Sequence, residues 1–223
     1  MGGIDSNKRK VEIMKKLVIF DLDGTLTNNI NLSEIIYREI SRKYNLRELS
    51  SEEIRRLKSF TSLKQVLSVG MPLFKIPKLY NESREIASEY IADCVLVPGM
   101  KELLFRLIDK DIKLAIVSSN SEANIYNFLI KNDINFFSFV RGKASMKGKK
   151  KILKKMIQKN GYQLDEVIYV GDEVRDVRAC KLIPIEIASV GWGFETLDIL
   201  EDANPNYVVK SIDELEKLIL DLK

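Results

Sequence analysis

The stretch Leu17-Val18-Ile19-Phe20-Asp21-Leu22-Asp23-Gly24-Thr25-Leu26 decides the fold. Four apolar residues run directly into two aspartates one residue apart, and a glycine follows. An unbroken apolar run of this length is the pattern of a strand covered on both faces, as in parallel sheets. Ending it in Asp-x-Asp-Gly delivers both carboxylates to the strand's carboxyl end, where open α/β sheets bind their ligands. Such a pair is a ready cation site.

Outward from this strand the pattern changes character twice. Residues 31–93 hold no convincing strand and several amphipathic segments. Ser33 is placed to cap a helix carrying Ile35, Ile36 and Ile40, while Ser50-x-x-Glu53 and Ser62-x-x-Gln65 read as capping boxes. Pro72 and Pro77 are expected to break the chain before a last helix near 78–93. From Pro98-Gly99 onward, helices and strands alternate. Helices are expected at 99–110, 121–132 and 149–160, with strands at 113–117, 136–140, 167–170, 185–190 and 207–209. Ser211-x-x-Glu214 opens a C-terminal helix. Alternation of this kind predicts an α/β fold, a doubly wound parallel sheet. Its core spans 15–30 and 94–223, and the helical block 31–93 is inserted after the first strand. Residues 1–14 precede the Lys15-Lys16-Leu17 start of that strand and are read as an N-terminal extension.

Composition narrows the classes. The chain has 223 residues, enough for one large domain or a core domain with an insertion. Its 36 basic residues nearly balance 32 acidic ones, so the net charge of +4 gives no sign of a nucleic-acid partner. Cys94 and Cys180 lie far apart without metal-ligand spacing and read as reduced packing thiols. No apolar stretch approaches the roughly 18 residues of a spanning helix. The expectation is a cytoplasmic protein with no membrane partner. Histidine is absent, which removes Ser-His-Asp hydrolases, histidine phosphatases and His-ligated zinc enzymes.

Three more sites fall at or just beyond predicted strand ends. Ser118 follows Leu114-Ala115-Ile116-Val117 and precedes Ser119 and Asn120; a hydroxyl and backbone amides at a helix start suit a phosphate group. Lys147 stands just before a helix within a lysine-rich run. Gly171-Asp172-Glu173-Val174-Arg175-Asp176 follows Val167-Ile168-Tyr169-Val170.

Taken in order, these four motifs resemble the haloacid dehalogenase superfamily of phosphohydrolases. Asp21-Leu22-Asp23-Gly24-Thr25-Leu26 matches the first motif, Ser118 the second, Lys147 the third, and Gly171-Asp172 with Asp176 the fourth. The resemblance covers residues 15–222. It implies a Rossmann-like core, and the helical block resembles a family cap. Phosphoglycolate phosphatase-like members are the nearest pattern, helped by Gly191-Trp192-Gly193-Phe194. The spacing of Lys147 from Gly171 fits the family and favours it over Lys143, Lys149, Lys150 and Lys151, although the run also reads as the solvated face of an amphipathic helix packed through Ile152, Leu153, Met156 and Ile157.

The residues themselves support the same chemistry. A carboxylate such as Asp21 can attack phosphorus and split a difficult hydrolysis into two steps through an acyl phosphate. Asp23, read as pointing elsewhere through strand alternation, could protonate the leaving oxygen and then deprotonate water. Gathering Asp21, Asp172 and Asp176 calls for a cation. Mg²⁺ with ligands from Asp21, the Asp23 carbonyl and Asp172 answers that need. Lys147 would neutralise the phosphoryl group, a contribution on the order of 3 kcal/mol. Gly24, Ser118, Ser119 and Asn120 would join it around the phosphate, with Thr25 and Asp176 behind. Asn120 reads equally as a helix cap, Glu173 as a helix-start acid, and Trp192 and Phe194 as packing. Substrate class is set no more finely than a small phosphorylated metabolite. A phosphomutase and a receiver-like phosphoacceptor remain alternatives; the inserted block and Asp23 count against the latter.

Overall fold

The computed structural model describes residues 14–28, 32–58, 68–90, 94–144 and 146–222. The first strand, β1 (Leu17–Phe20), is buried throughout and pairs in parallel with β4 (Lys113–Val117) on one side and β6 (Val167–Gly171) on the other. Beyond these lie β5 (Phe139–Arg141) next to β4, then β7 (Glu186–Val190) and β8 (Tyr207–Val209) next to β6. The order is β5-β4-β1-β6-β7-β8, all parallel. The chain builds outward from β1 to β4 and β5, then crosses to β6 on the other side. The carboxyl ends of β4, β1 and β6 therefore meet at a topological switch point, the place where such sheets bind ligands.

Alternate residues of each strand face opposite layers. Val18 and Phe20 join a core with α4 (Met100–Asp109), α5 (Glu122–Lys131) and α9 (Ile212–Asp221), through Leu103, Leu107, Phe128 and Leu215 among others. Leu17 and Ile19 face α6 (Met146–Lys159) and α7 (Val174–Lys181), meeting Leu153, Ile157, Val177 and Cys180. Continuing that alternation, Asp21 falls on the side of α6 and α7. One short helix, α8 (Leu197–Asp202), links β7 to β8.

Between β1 and β4 come α1 (Leu32–Tyr44), α2 (Ser51–Lys58) and α3 (Ile76–Tyr90). Ile40, Met71 and Leu79 form a small core of their own there, with Ile36 and Ile86 packed against it. The Ser50 and Glu53 capping box forms in both directions, Glu53 N donating to Ser50 Oγ and Ser50 N to Glu53 Oε2. Ser62 and Gln65 lie outside the described residues.

Three expectations need correction. Helix α1 starts at Leu32, so Ser33 is inside it rather than its cap. Pro77 does not break the chain: it is the second residue of α3, a first-turn position where a missing N–H costs nothing. Two short strands were also missed, β2 (Thr27–Asn28) and β3 (Val95–Leu96), antiparallel to each other where the helical block leaves and rejoins the core.

Candidate active site

Asp21 follows β1, its amide donating to the Val170 carbonyl at 2.9 Å, and its side chain is buried. Strand geometry ends there. Residues 23–26 form a turn, with Gly24 at φ +79°, a conformation glycine adopts without strain. A Cβ on Gly24 would lie 2.2 Å from Asp172 Oδ2, so glycine is also required for the close approach of the Asp172 carboxylate. The turn, not strand alternation, separates the two aspartates, since residues two apart in a strand share a face. Asp23 reaches a hydrogen bond with Asn120, whereas Asp21 turns to the α6 side.

The lysine that the structure brings to Asp21 is Lys149. Its ammonium lies 3.2 Å from Asp21 Oδ1, 2.5 Å from Asp176 Oδ1 and 2.8 Å from the Tyr169 hydroxyl, and it is 2% exposed. Sequence reasoning preferred Lys147, which lies in the same helix; its side chain is outside the described residues. Burial alone would push the Lys149 ammonium down, but the charges of Asp176 and Asp21 outweigh it and hold it above the ordinary lysine value.

Asp172 is fully buried at the end of β6. Thr25 Oγ1 donates to its Oδ1 at 2.8 Å and the Phe194 amide to its Oδ2 at 2.7 Å. The Trp192 indole donates to the Thr25 carbonyl at 3.1 Å, and a Cβ on Gly193 would stand 2.2 Å from Asp172 Cβ. The loop after β7 thus presses directly on this carboxylate. Glu195 from the same loop accepts the Val174 amide at the start of α7. Glu173 pairs with Arg175 at that helix start.

On the other side of Asp21, Ser118 is fully buried, and its Oγ accepts the Asn120 amide at 3.1 Å. Ser119 and Asn120 are also buried. Asn120 Oδ1 accepts from Ser121 N and Asn124 Nδ2, while Ser121 caps α5. The structure therefore brings Asp21, Asp23, Gly24, Thr25, Ser118, Ser119, Asn120, Asp172 and Asp176 to one edge of the sheet.

Charge in this cluster does not balance. One oxygen each of Asp21, Asp172 and Asp176 lie within 4.8 Å of one another, and among the described residues Lys149 is the lysine paired with them. Burial raises Asp21 above the usual carboxylate range although Lys149 pulls it back, and burial followed by the charge of Asp21 drives Asp172 well above it. Asp21 Oδ2 and Asp176 Oδ2 are buried without a hydrogen-bond partner among the described residues. Such oxygens are costly unless a cation or donor meets them, and an all-oxygen carboxylate set suits a hard divalent ion. Asp23 is half-buried, with one unpartnered oxygen. Burial and then the Asp21 charge push its carboxyl up to about 7, against the hydrogen bond from Asn120. A group poised there can both give and take a proton at neutral pH.

Sequence reasoning weighs Lys149 only as a neighbour of Lys147 and misses Tyr169 and the Phe194 amide. Tyr169 carried one signal, a phenol inside an otherwise aliphatic buried strand, because a buried tyrosine hydroxyl needs a partner.

Comparisons with known proteins agree with this site. The family model for haloacid dehalogenase-like hydrolases matches residues 18–190. A phosphoglycolate phosphatase from Synechococcus elongatus is 27% identical over 206 residues, covering 92% of this chain and 97% of its own. Pyrophosphatase PpaX from Oceanobacillus iheyensis is 23% identical over 211 residues, covering 92% and 97%. Among solved structures, a haloacid dehalogenase-like family hydrolase from Streptococcus pneumoniae matches with a TM-score of 0.73 at 18% identity, over 92% of this chain and 97% of that one. The chain belongs to the haloacid dehalogenase-like hydrolases and is an enzyme of their phosphatase type.

Proposed function

We propose that the protein is a Mg²⁺-dependent phosphatase that hydrolyses a small phosphomonoester through a phosphoaspartate on Asp21. The observation that carries this reading is the pairing of two differently placed carboxylates: Asp21, held by Lys149 with its second oxygen unpartnered, and Asp23, held apart on Asn120 near neutrality. An Asp21 oxygen attacks phosphorus and the ester P–O bond breaks, with Asp23 giving its proton to the leaving oxygen. Asp23 then takes a proton from water as the water oxygen bonds to phosphorus and the acyl phosphate opens, returning Asp21 as a carboxylate. Lys149 neutralises the phosphoryl oxygens in the role sequence reasoning gave to Lys147, and Ser118, Ser119 and Asn120 orient them.

Asp21, the Asp23 carbonyl and Asp172 would hold the Mg²⁺ ion, which when bound supplies charge neutralisation and orientation of the phosphoryl group. Asp176 holds Lys149. In this reading the block 31–93 is a cap over the switch point, carried by the β2–β3 pair, and shields the site from water as it closes. Phosphoglycolate is the first substrate to try, on the strength of the Synechococcus relative. The reading takes the protein as cytoplasmic; no helix among the described residues is long and apolar enough to cross a membrane.

The test is phosphate release from a panel of small phosphomonoesters, with and without Mg²⁺, comparing the natural chain with Asp21→Asn. Release that needs both Mg²⁺ and Asp21 is the expected result. Labelling of Asp21 by a phosphoryl donor without release would overturn it in favour of a mutase or phosphoacceptor.

A further inference from the structure

An ammonium has three hydrogens, and in this structure Lys149 has a partner for each: Asp176 Oδ1 at 2.5 Å, the Tyr169 hydroxyl at 2.8 Å and Asp21 Oδ1 at 3.2 Å. Taking the phosphatase reading as its basis, we propose that Tyr169 is a positioning residue which, with Asp176, anchors two of these N–H bonds and so reserves the third, at Asp21, for the reacting phosphoryl group.

The direction of the tyrosine bond is set by its other partner. Tyr169 stands on β6, and its hydroxyl donates to the Val117 carbonyl at the end of β4, 3.2 Å away. Because β1 lies between β6 and β4, the phenol bridges across β1 next to Asp21. A phenol has one hydrogen. Once it is given to Val117, only lone pairs are left to face Lys149, so Tyr169 can accept from the ammonium but not compete with it as a donor. The ring is fully buried and close to Gly171, where a Cβ would come 2.8 Å from Tyr169 Cε1 and 2.6 Å from Asp176 Oδ2. Both anchors are thus packed closely against the backbone of Gly171.

The bond to Asp21 is the longest of the three, hence the cheapest to exchange. It is also the one whose acceptor changes during reaction. As the Asp21 oxygen bonds to phosphorus its carboxylate charge is lost, and negative charge remains on the phosphoryl oxygens beside it. The N–H released by Asp21 is already aimed there. Without the tyrosine oxygen the ammonium has a spare hydrogen and can rotate, so the donor is no longer held in place.

Tyr169→Phe removes the hydroxyl and keeps the ring. The expected result is a kcat lower by about tenfold or more, the range for a hydrogen bond to a charged group, with KM and the Mg²⁺ requirement unchanged. In a Lys149→Met background the same substitution should have no further effect, because its partner is gone. Where turnover of that background is too slow to read, the dissociation constant of vanadate with Mg²⁺ replaces kcat in the cycle. Equal losses in both backgrounds, or no loss in either, would overturn the proposal by making Tyr169 a packing residue. A readout independent of turnover is hydrogen exchange of the Lys149 ammonium by ¹⁵N NMR, assigned through Lys149→Met. Exchange should quicken in Tyr169→Phe, and an unchanged lifetime would also overturn the anchoring. Should the natural chain hydrolyse no phosphomonoester and bind no vanadate, the phosphatase reading fails, while the NMR comparison still decides whether Tyr169 holds Lys149.

Discussion

Lys149→Met is the perturbation that separates the site described here from the one spacing alone suggests. The ammonium sits 3.2 Å from Asp21 and 2.5 Å from Asp176, all three groups being buried. With an effective dielectric constant of about 20, each pairing corresponds to roughly 5–7 kcal/mol of Coulomb attraction, most of it offset by desolvation. Removing one partner of a buried pair leaves an uncompensated charge and typically costs about 3–5 kcal/mol. For a chain of this size that lowers the thermal midpoint by roughly 6–20 °C. On the proposed reading the loss should shrink when Mg²⁺ is present, because a bound ion would compensate the same carboxylates and favour the folded chain. On the rate, loss of a fixed charge at the transferring group should cost about 10²–10³-fold in kcat. Lys150→Met, at an exposed position of the same helix, is the control and should shift stability by less than about 0.5 kcal/mol. Calorimetric melting with and without Mg²⁺, alongside steady-state phosphate release, reads both effects. A Lys149→Met protein with near-natural kcat, or a Lys147→Met protein that loses more than Lys149→Met, would refute the assignment.

Asp172→Asn should raise the Mg²⁺ concentration needed for half-maximal activity at least tenfold, about 1.4 kcal/mol in apparent binding, and a metal titration checks it; chelator should silence the natural chain reversibly. Gly193→Ala, whose Cβ would fall 2.2 Å from Asp172 Cβ, should reduce activity and Mg²⁺ affinity together, with destabilisation of about 1–3 kcal/mol from overpacking, measured by urea unfolding. In the inserted helical block, hydrogen bonds from Lys43 at 2.9 Å and Tyr44 at 2.8 Å hold the Glu82 carboxyl below its ordinary value. Its contribution is therefore present in full above the unfolded value near 4.3 and is lost as pH falls through the lower folded value. Glu82→Gln should flatten that part of the acid unfolding curve.

Much of the core was legible because its signals are local. The apolar runs of β1, β4 and β6 are long and uninterrupted, and the helices between them keep one face apolar. Errors arose where tertiary contacts override local pattern. Phe136 and Phe137 look like strand residues but stack on each other at 5.7 Å, with Phe105 and Phe20 packed against them. The ladder of β5 therefore starts only at Phe139. β2 and β3 are two residues each, too short to show a period, and exist because the chain must enter and leave the helical block side by side.

The lysine beside Asp21 teaches a sharper point about what periodicity can see. Lys149 stands four residues before Leu153, seven before Met156 and eight before Ile157, all three buried. It therefore lies on the apolar face of α6, the one lysine among 149, 150, 151, 154, 155 and 159 that does; the others are exposed. A charged residue in register with a buried stripe has to find a counter-charge inside the fold. The strand-end aspartates, already read as gathered beyond the sheet, were the available partners. Spacing along the chain to Gly171 favours 147, whereas register with the buried stripe of α6, which begins at Met146, is what marks Lys149.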